Sequence, residues 1–175
     1  EHIQKKDGTS IYFRLSTKKL IQPERKLSKK NQEDIIKGCY WFKKPKTKNS
    51  IILICTGVIV GEVEKMRKEI IDEEIDLGIL IATSPDKLYE DWMNSKKYNS
   101  CCHIEKTLES INRNSIIISI IDAHSSSLSW IGSVLGHKVY PMGINKFGQS
   151  GDLNEIYSYT NIDFKSIIDR IAKSI

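Results

Sequence analysis

Three uninterrupted apolar runs constrain the fold of this chain more than any other feature of its sequence: SIILICT, DLGILIAT and SIIISIID. Each run has the length of a strand and lacks polar alternation, so each predicts a strand that is buried on both faces. Segments with helical spacing lie between the runs; in the first of them Val63, Met66 and Ile70 recur on one face. Strands that alternate with helices indicate a mostly parallel sheet covered on both sides.

Two further segments complete the expected sheet. KVYPMGI follows the helix-like segment SSLSWIGSVLGH, and GCYWFKK alternates aromatic with other residues, which favours an antiparallel edge strand. We therefore predict an α/β fold with three layers, α/β/α, around a mostly parallel five-stranded sheet with one antiparallel edge strand. The segments DLNEIYSY and DFKSIIDRIAKSI predict two closing helices.

The first part of the chain differs in character from the rest. IYFRL predicts a short strand, and the lysine-rich stretch behind it shows neither a helical nor an alternating period. We assign residues 1–17 to the end of a preceding domain, residues 18–37 to a surface linker and residues 38–175 to the α/β domain. The chain lacks an initiator Met, and we expect it to be part of a longer polypeptide.

Composition restricts the classes of partner. The net charge is +5 over 175 residues, but the excess lysines are not interleaved with the arginines and aromatic residues that favour nucleic-acid binding. No apolar run approaches the ~20 residues that span a bilayer. We therefore expect neither a nucleic-acid partner nor a membrane. The spacing of Cys39, Cys55, Cys101 and Cys102 favours reduced thiols, a cytoplasmic location and no metal site.

Glycine and carboxylate residues around the first long helix suggest little chemistry. Gly57 follows a buried strand and precedes this helix, so backbone amides there could surround a phosphate. The full glycine pattern of a nucleotide-binding loop is missing, which favours a tight turn and leaves Gly57 a weak ligand-binding candidate. The carboxylates of EVEKMRKEIIDEE fit a solvated helix face better than a catalytic pair.

The segment IDAHSSSLSWIG lies where α/β sheets commonly bind ligands, at the end of a buried strand. Asp122, His124 and Ser125 are too close in sequence for a nucleophilic triad, whose members usually come from separate segments. A helix capped by Ser125 or Ser126 is the preferred interpretation. His124 remains a candidate for a subunit interface or for a place beside reacting groups, and Trp130 for an interface anchor. We predict no catalytic residue in the chain.

The segment INKFGQSGDLNEIYSYTNID predicts a glycine turn that leads into a capped helix. We expect Ser150 and Asp152 to cap the helix that begins near Leu153. We also expect Phe147 and Tyr157 to pin the turn against the sheet. Phe147 and Ser150 are further candidates for an interface.

These motifs together resemble a known family. FGQSGDLNEIYSYTNID is similar to the signature that closes the C-terminal domain of transketolase-like thiamine diphosphate enzymes. DAHSSSLSWIGSVLGHKVYPMGINKFGQSG resembles a segment of the single-chain decarboxylating component of 2-oxoacid dehydrogenase complexes. GTSIYFRLST resembles the end of the family's pyrimidine-binding domain, and KGCYWF and LICTGVIVGEV the start of its C-terminal domain. Two departures are Ser125 in place of proline and Asn161 in place of glycine; asparagine can still adopt the left-handed conformation.

The resemblance implies a C-terminal domain of a pyruvate-type dehydrogenase component that supports dimerisation and the active-site architecture but is inactive alone. The alternative within the family is a transketolase that transfers ketol units between sugar phosphates. A third hypothesis is a stand-alone regulatory module that binds an anion beside Gly57 and His124. The resemblance implies thiamine diphosphate and Mg²⁺ in the full-length enzyme and none bound to this part. The implied partners are the upstream domains, a second identical subunit and, for a dehydrogenase, a dihydrolipoyl acyltransferase core.

Overall fold

Five strands form one sheet in the computed structural model, which describes residues 6–8, 10, 19–20, 27–48, 50–70 and 75–174. The strands are β1 (Cys39–Lys43), β2 (Ile51–Cys55), β3 (Leu77–Ala82), β4 (Ile116–Ile120) and β5 (Lys138–Met142). Their order is β1-β3-β2-β4-β5, with β1 antiparallel to β3 and the other neighbours parallel. This confirms the predicted α/β class and the antiparallel edge strand.

Helices cover both faces of the sheet. They are α1 (Lys29–Lys37), α2 (Val60–Glu69), α3 (Pro85–Tyr98), α4 (His103–Leu108), α5 (Ser126–Ser129), α6 (Leu153–Tyr159) and α7 (Phe164–Ala172), with 3₁₀ turns at Gly57–Ile59 and Trp130–Val134. Met66 of α2 and Ile167 of α7 pack in one core. Leu88 of α3 and Ile104 of α4 pack in the other core.

The central strands are buried for the reason that the sequence suggests. Every residue of β2 and β3 is buried, and β4 is buried after its first residue. Leu53 lies in register with Ile79 on one side and Ile118 on the other, and all three face one core. Alternate residues such as Ile54 and Leu80 face the opposite core. Both faces of these strands are therefore removed from water, and no polar alternation is needed.

The predicted linker contains a helix that the sequence pattern did not indicate. Ser28 caps α1, because its Oγ accepts a hydrogen bond from the Asn31 amide at 3.1 Å. Gly38 ends the helix at a φ of 112°. No residue of α1 is fully buried: Ile35 packs only partly against the core and Ile36 is exposed, so the apolar periodicity is weak. The expectation that residues 18–37 form an irregular linker is therefore wrong for α1; the predicted strand IYFRL lies outside the described residues.

The segment SSLSWIGSVLGH is also less regular than predicted, because its helix is short. After α5 the chain tightens into a 3₁₀ turn, and Gly136 follows at a φ of 78°. A Cβ on Gly132 would lie 2.2 Å from Cγ2 of Val139 and 2.7 Å from the carbonyl oxygen of His137. The small residue at position 132 therefore permits a close approach to the start of β5.

Asn161 adopts the conformation expected when asparagine replaces glycine. Its φ is 57°, in the left-handed region. The amide of Asn161 donates to the carbonyl of Ser158, and the amide of Ile162 donates to that of Tyr157 at 3.0 Å. These bonds satisfy carbonyl groups at the end of α6, as in other left-handed helix ends.

The outer edge of β5 is polar. Lys138 and Pro141 are exposed. The ring of Tyr140 lies 4.8 Å from Nζ of Lys138 and 5.3 Å from Cζ of Arg170. Within the described part of the chain, no helix is long and apolar enough to cross a membrane.

Candidate functional site at the carboxyl ends of the strands

The carboxyl ends of β2, β4 and β5 lie side by side at one edge of the sheet. Cys55 is in register with Ile120, and Ile120 with Met142. The loops that follow these parallel strands therefore meet at one surface, which is the usual ligand position in α/β sheets. Gly57 and His124, predicted from separate motifs, both lie in these loops.

The loops after β4 and β5 are bonded to each other. Ser125 Oγ donates to Oδ1 of Asn145 at 2.8 Å, and the Ser125 amide lies 3.3 Å from the same oxygen. The Ile144 amide donates to the carbonyl of Ala123 at 2.8 Å. A Cβ on Gly143 would lie 2.6 Å from the Ala123 carbonyl oxygen and 2.8 Å from the Ser125 nitrogen. The two loops thus form one unit, which we call the loop lock.

The loop lock replaces the cap that the sequence suggested. Ser125 precedes α5 but its side chain accepts no hydrogen bond from the first turn. Ser126 lies inside the helix, and its hydroxyl contacts His124 instead. The prediction that either serine caps this helix is therefore wrong, because both hydroxyl groups have partners in the neighbouring loops.

His124 is exposed beside the loop lock. Its Nδ1 lies 2.8 Å from Ser126 Oγ and 3.3 Å from the Ser126 amide nitrogen. Because an amide nitrogen can only donate, Nδ1 is the acceptor and the neutral ring carries its hydrogen on Nε2. The geometry leaves a hydrogen-bond donor of His124 at the surface, next to the ends of β4 and β5.

Two carboxylates, Asp122 and Glu62, act on the buried Tyr157. Glu62 on α2 is only 2% exposed and its Oε1 pairs with Nζ of Lys65 at 2.9 Å. Burial, together with the charges of Asp122 and Glu62, raises the pKa of Tyr157 to about 12. The phenol of Tyr157 is therefore neutral at physiological pH, and the charges of Asp122 and Glu62 both favour this neutral form. The expectation that the carboxylates of α2 lie on a solvated face is wrong for Glu62.

Gly57 occupies a turn whose glycine is required by its backbone. Its φ is 59°, and a Cβ there would meet no atom within 4 Å. The residue is therefore needed for a left-handed conformation and not for close packing. This geometry agrees with the tight strand-to-helix turn; a ligand at Gly57 stays a prediction.

Trp130 belongs to an aromatic cluster on the outer surface of α3. Its ring stacks on Trp92 with centroids 5.4 Å apart and meets the edge of Tyr89 at 5.2 Å. Its Nε1 donates to the carbonyl of Ser127 at 3.1 Å. Trp130 therefore has contacts within its own chain, and its predicted place at a subunit interface is not tested by them.

The turn before α6 is held differently from the prediction. Tyr157 is buried at 4% exposure, as expected, but Phe147 is 94% exposed and does not pin the turn. Asp152 caps α6 by accepting from the Asn154 amide at 2.9 Å, which confirms half of the predicted pair. Ser150 is exposed and is not the capping residue. The Asp152 cap and the buried Tyr157 hold the turn in place, and the side chain of Phe147 lies in solvent.

Sequence reasoning missed three residues that shape this surface: Gly143, Asn145 and Glu62. The first two follow the end of β5 as Ala123 and Ser125 follow the end of the adjacent strand β4, so small and polar residues after neighbouring parallel strands were the available signal. The burial of Glu62 could not be predicted from the sequence, because a carboxylate among other charged residues on a helix is usually exposed to solvent.

Metal and thiol chemistry find no support at the described residues. No group of three or more His, Cys, Asp or Glu side chains in that part of the chain could hold a metal ion. All four cysteines are free thiols. Burial raises the pKa of Cys39 and of Cys55 to about 12, so both are protonated at neutral pH. The cytoplasmic location stays a prediction.

Several solved structures similar to this chain are transketolases. A transketolase from Campylobacter jejuni subsp. jejuni NCTC 11168 is similar at 19% identity and a TM-score of 0.57, over 80% of this chain and 19% of that one. The H261F variant from Pichia stipitis is similar at 23% identity and a TM-score of 0.57, over 81% and 18%. A split-gene transketolase, an inactive β4 tetramer, is similar at 13% identity and a TM-score of 0.53, over 77% and 40%.

The similarity to these solved structures establishes the fold. The family is assigned by a match between the sequence and a family model. The chain spans about a fifth of the length of the first two transketolases. No curated protein sequence matches it. Residues 38–163, which hold all five strands and the loop lock, match the family described as "Transketolase-like TK C-terminal domain". The chain therefore belongs to the transketolase-like C-terminal domain family.

Proposed function

We propose that this chain is the C-terminal domain of the thiamine diphosphate-dependent decarboxylating component of a 2-oxoacid dehydrogenase, with pyruvate as the expected substrate. The proposal rests on the structure of the loops that follow β4 and β5. The motif that resembles such decarboxylating components, from Asp122 to Gly151, forms the loop lock and exposes His124 beside it. In this proposal the domain supports the active site from outside.

The described residues do not fit the cofactor itself. The diphosphate of thiamine diphosphate needs a divalent metal held by oxygen ligands, and no cluster of suitable side chains exists in the described ranges. We therefore derive no reaction step from this chain, and assign cofactor binding to the upstream domains of the same polypeptide.

The partners proposed for the domain follow from its exposed features. Phe147, at 94% exposure, is an apolar side chain that a second subunit or an upstream domain would cover. Burying apolar surface contributes ~25 cal/mol for each Å² removed from water. His124 and Ser150 lie in the same loops and would meet the same partner. Docking to a dihydrolipoyl acyltransferase core belongs to the proposal, but no described residue identifies that surface.

A transketolase is the second candidate, and the names of the solved relatives favour it. The two activities differ in substrate, so one experiment separates them. The protein that contains this chain, loaded with thiamine diphosphate and Mg²⁺, is assayed with pyruvate and an artificial electron acceptor, and separately with xylulose 5-phosphate and ribose 5-phosphate. We expect oxidation of pyruvate. Ketol transfer between the sugar phosphates, without turnover of pyruvate, would assign the protein to the transketolases.

The stand-alone anion-binding module receives the least support. The left-handed backbone explains the glycine at position 57, and Nδ1 of His124 is engaged by Ser126, so neither residue needs a ligand to account for its geometry. The alternative is still open to a direct test, because it predicts binding of inorganic phosphate that is lost in His124→Ala.

A further inference from the structure

A lysine-rich groove lies on the domain away from the loop lock. Two neighbouring cavities, of about 290 and 320 Å³, share Lys37, His103 and Lys106 in their walls. They run between α1, the edge strand β1 and α4. Their combined size is within the range of small-ligand sites, which commonly measure ~300–1,000 Å³. We call this pair of cavities the β1 groove.

The β1 groove has a clear excess of positive charge. Five lysines line it and only two carboxylates do: Lys30, Lys37, Lys44, Lys87, Lys106, Asp34 and Asp91. Both carboxylates are already engaged. Asp34 pairs with Lys30 at 3.1 Å, and Asp91 accepts the His103 amide at 2.9 Å. The charge of Asp34 is thus paired with Lys30, whereas the amide bond does not compensate the charge of Asp91, so the remaining four lysines face one carboxylate.

Three of these lysines lack an ionic partner within the described residues. Lys30 pairs with Asp34, and Nζ of Lys87 donates to the carbonyl of Ile36 at 2.7 Å. No ion pair in the described ranges includes Lys37, Lys44 or Lys106. These three lysines come from α1, from the residue after β1 and from α4, and all three line the groove. The resulting excess of cations over carboxylates favours an anionic ligand.

The floor of the groove is ordered and partly aromatic. Nε2 of His103 lies 2.9 Å from the carbonyl oxygen of Cys39, so the ring is anchored to β1. Thr107 donates from Oγ1 to the carbonyl of His103 at 2.8 Å. The partly exposed ring of Trp41 lines the same cavity. An apolar or planar group could rest on Trp41 while charged groups meet the lysines.

We propose that the β1 groove binds a small organic polyphosphate, with its phosphates on Lys37, Lys44 and Lys106 and its organic part against Trp41. Two or three phosphate groups carry enough charge to balance three unpaired ammonium groups. The lysines recognise phosphate as point charges, so the site selects for charge number. This site is separate from the loop lock, and it does not depend on the reaction assigned to the full-length protein.

The test uses calorimetry of the chain with three probes: ATP, inorganic tripolyphosphate and inorganic phosphate. We expect ATP to bind, to weaken as salt is raised, and to bind ~3–10-fold more tightly than tripolyphosphate because its base contacts an aromatic ring. Inorganic phosphate should bind at least about tenfold more weakly than either. Equal affinity for ATP and tripolyphosphate would show that the organic part of the ligand contributes nothing to binding, and would overturn the proposal.

Charge-reversal variants locate the site. Lys37→Glu and Lys106→Glu should each weaken ATP binding by about tenfold or more. Lys165→Glu is the matched control, since it makes the same charge change in the first turn of α7, where a carboxylate is favourable. Circular dichroism confirms folding of each variant. Absence of ATP binding, equal loss in the control, or tighter binding of a single-stranded oligonucleotide than of ATP would each refute the proposal.

Discussion

Gly143→Ala tests the loop lock most directly, because the added methyl group has no free space. It would lie 2.6 Å from the carbonyl oxygen of Ala123 and 2.8 Å from both the nitrogen and the Cα of Ser125. All three are backbone atoms, so a side-chain rotation cannot relieve the contact. Separating them would also stretch the Ser125–Asn145 hydrogen bond of 2.8 Å.

The expected effect of this substitution can be estimated. Overpacking in a well-packed region costs about 1–3 kcal/mol, and loss of a side-chain hydrogen bond adds about 1 kcal/mol. We therefore expect Gly143→Ala to lower the free energy of unfolding by about 2–4 kcal/mol. For a domain of this size that corresponds to a fall in Tm of about 4–16 °C.

The assay is urea unfolding of the chain followed by circular dichroism, with Gly148→Ala as the matched control. A Cβ on Gly148 would meet no atom within 4 Å, and its φ is not positive. The control should therefore leave the free energy of unfolding unchanged or raise it by up to about 1 kcal/mol. If Gly143→Ala lies within about 0.5 kcal/mol of the native chain, the argument from close packing is wrong.

Four further predictions concern other parts of the domain. Ser119→Ala should raise the free energy of unfolding by about 1 kcal/mol in urea denaturation, because Ser119 Oγ is buried without a hydrogen-bond partner; a loss of stability would reveal a partner. Trp130→Ala should lower it by about 2 kcal/mol and reduce the near-ultraviolet dichroism of the stacked rings, whereas an unchanged spectrum would contradict the stacking. The folded chain holds the pKa of Cys39 and Cys55 at about 12 against 9.0, so stability should be complete below about pH 9 and fall as pH rises towards 12; unfolding midpoints that stay constant over that range would refute this. A thiol reagent at pH 8 should label exposed Cys101 before the three buried cysteines, and simultaneous labelling would show that the core opens.

The sheet was predictable because its signals are local. Continuous apolar runs report burial on both faces, and this property alone separates the central strands from the edge strand β1. The left-handed conformation of Asn161 was predictable for the same reason, since a helix end restricts the residue that follows it. Such features depend on the residue and its neighbours in sequence.

The site was less predictable because it depends on which loops meet. Gly143 is restricted by atoms about 20 residues earlier in the chain, and Asn145 has its partner at Ser125. The helix α1 was missed because none of its residues is fully buried: Ile35 packs only partly against the core, and a cap and an ion pair add to this contact. Phe147 was expected in the interior because it is aromatic, yet nothing in the folded domain covers it within the described residues.

The polar border of β5 has a consequence for how copies of the domain can associate. Pro141 has no amide hydrogen to offer, and Lys138 places a cation on the same margin. A neighbouring molecule cannot continue the hydrogen-bonded ladder past a proline, and two such margins would repel each other through their lysines. Extension of the sheet across the β5 margin is therefore disfavoured, whereas the opposite margin of the sheet is the antiparallel strand β1.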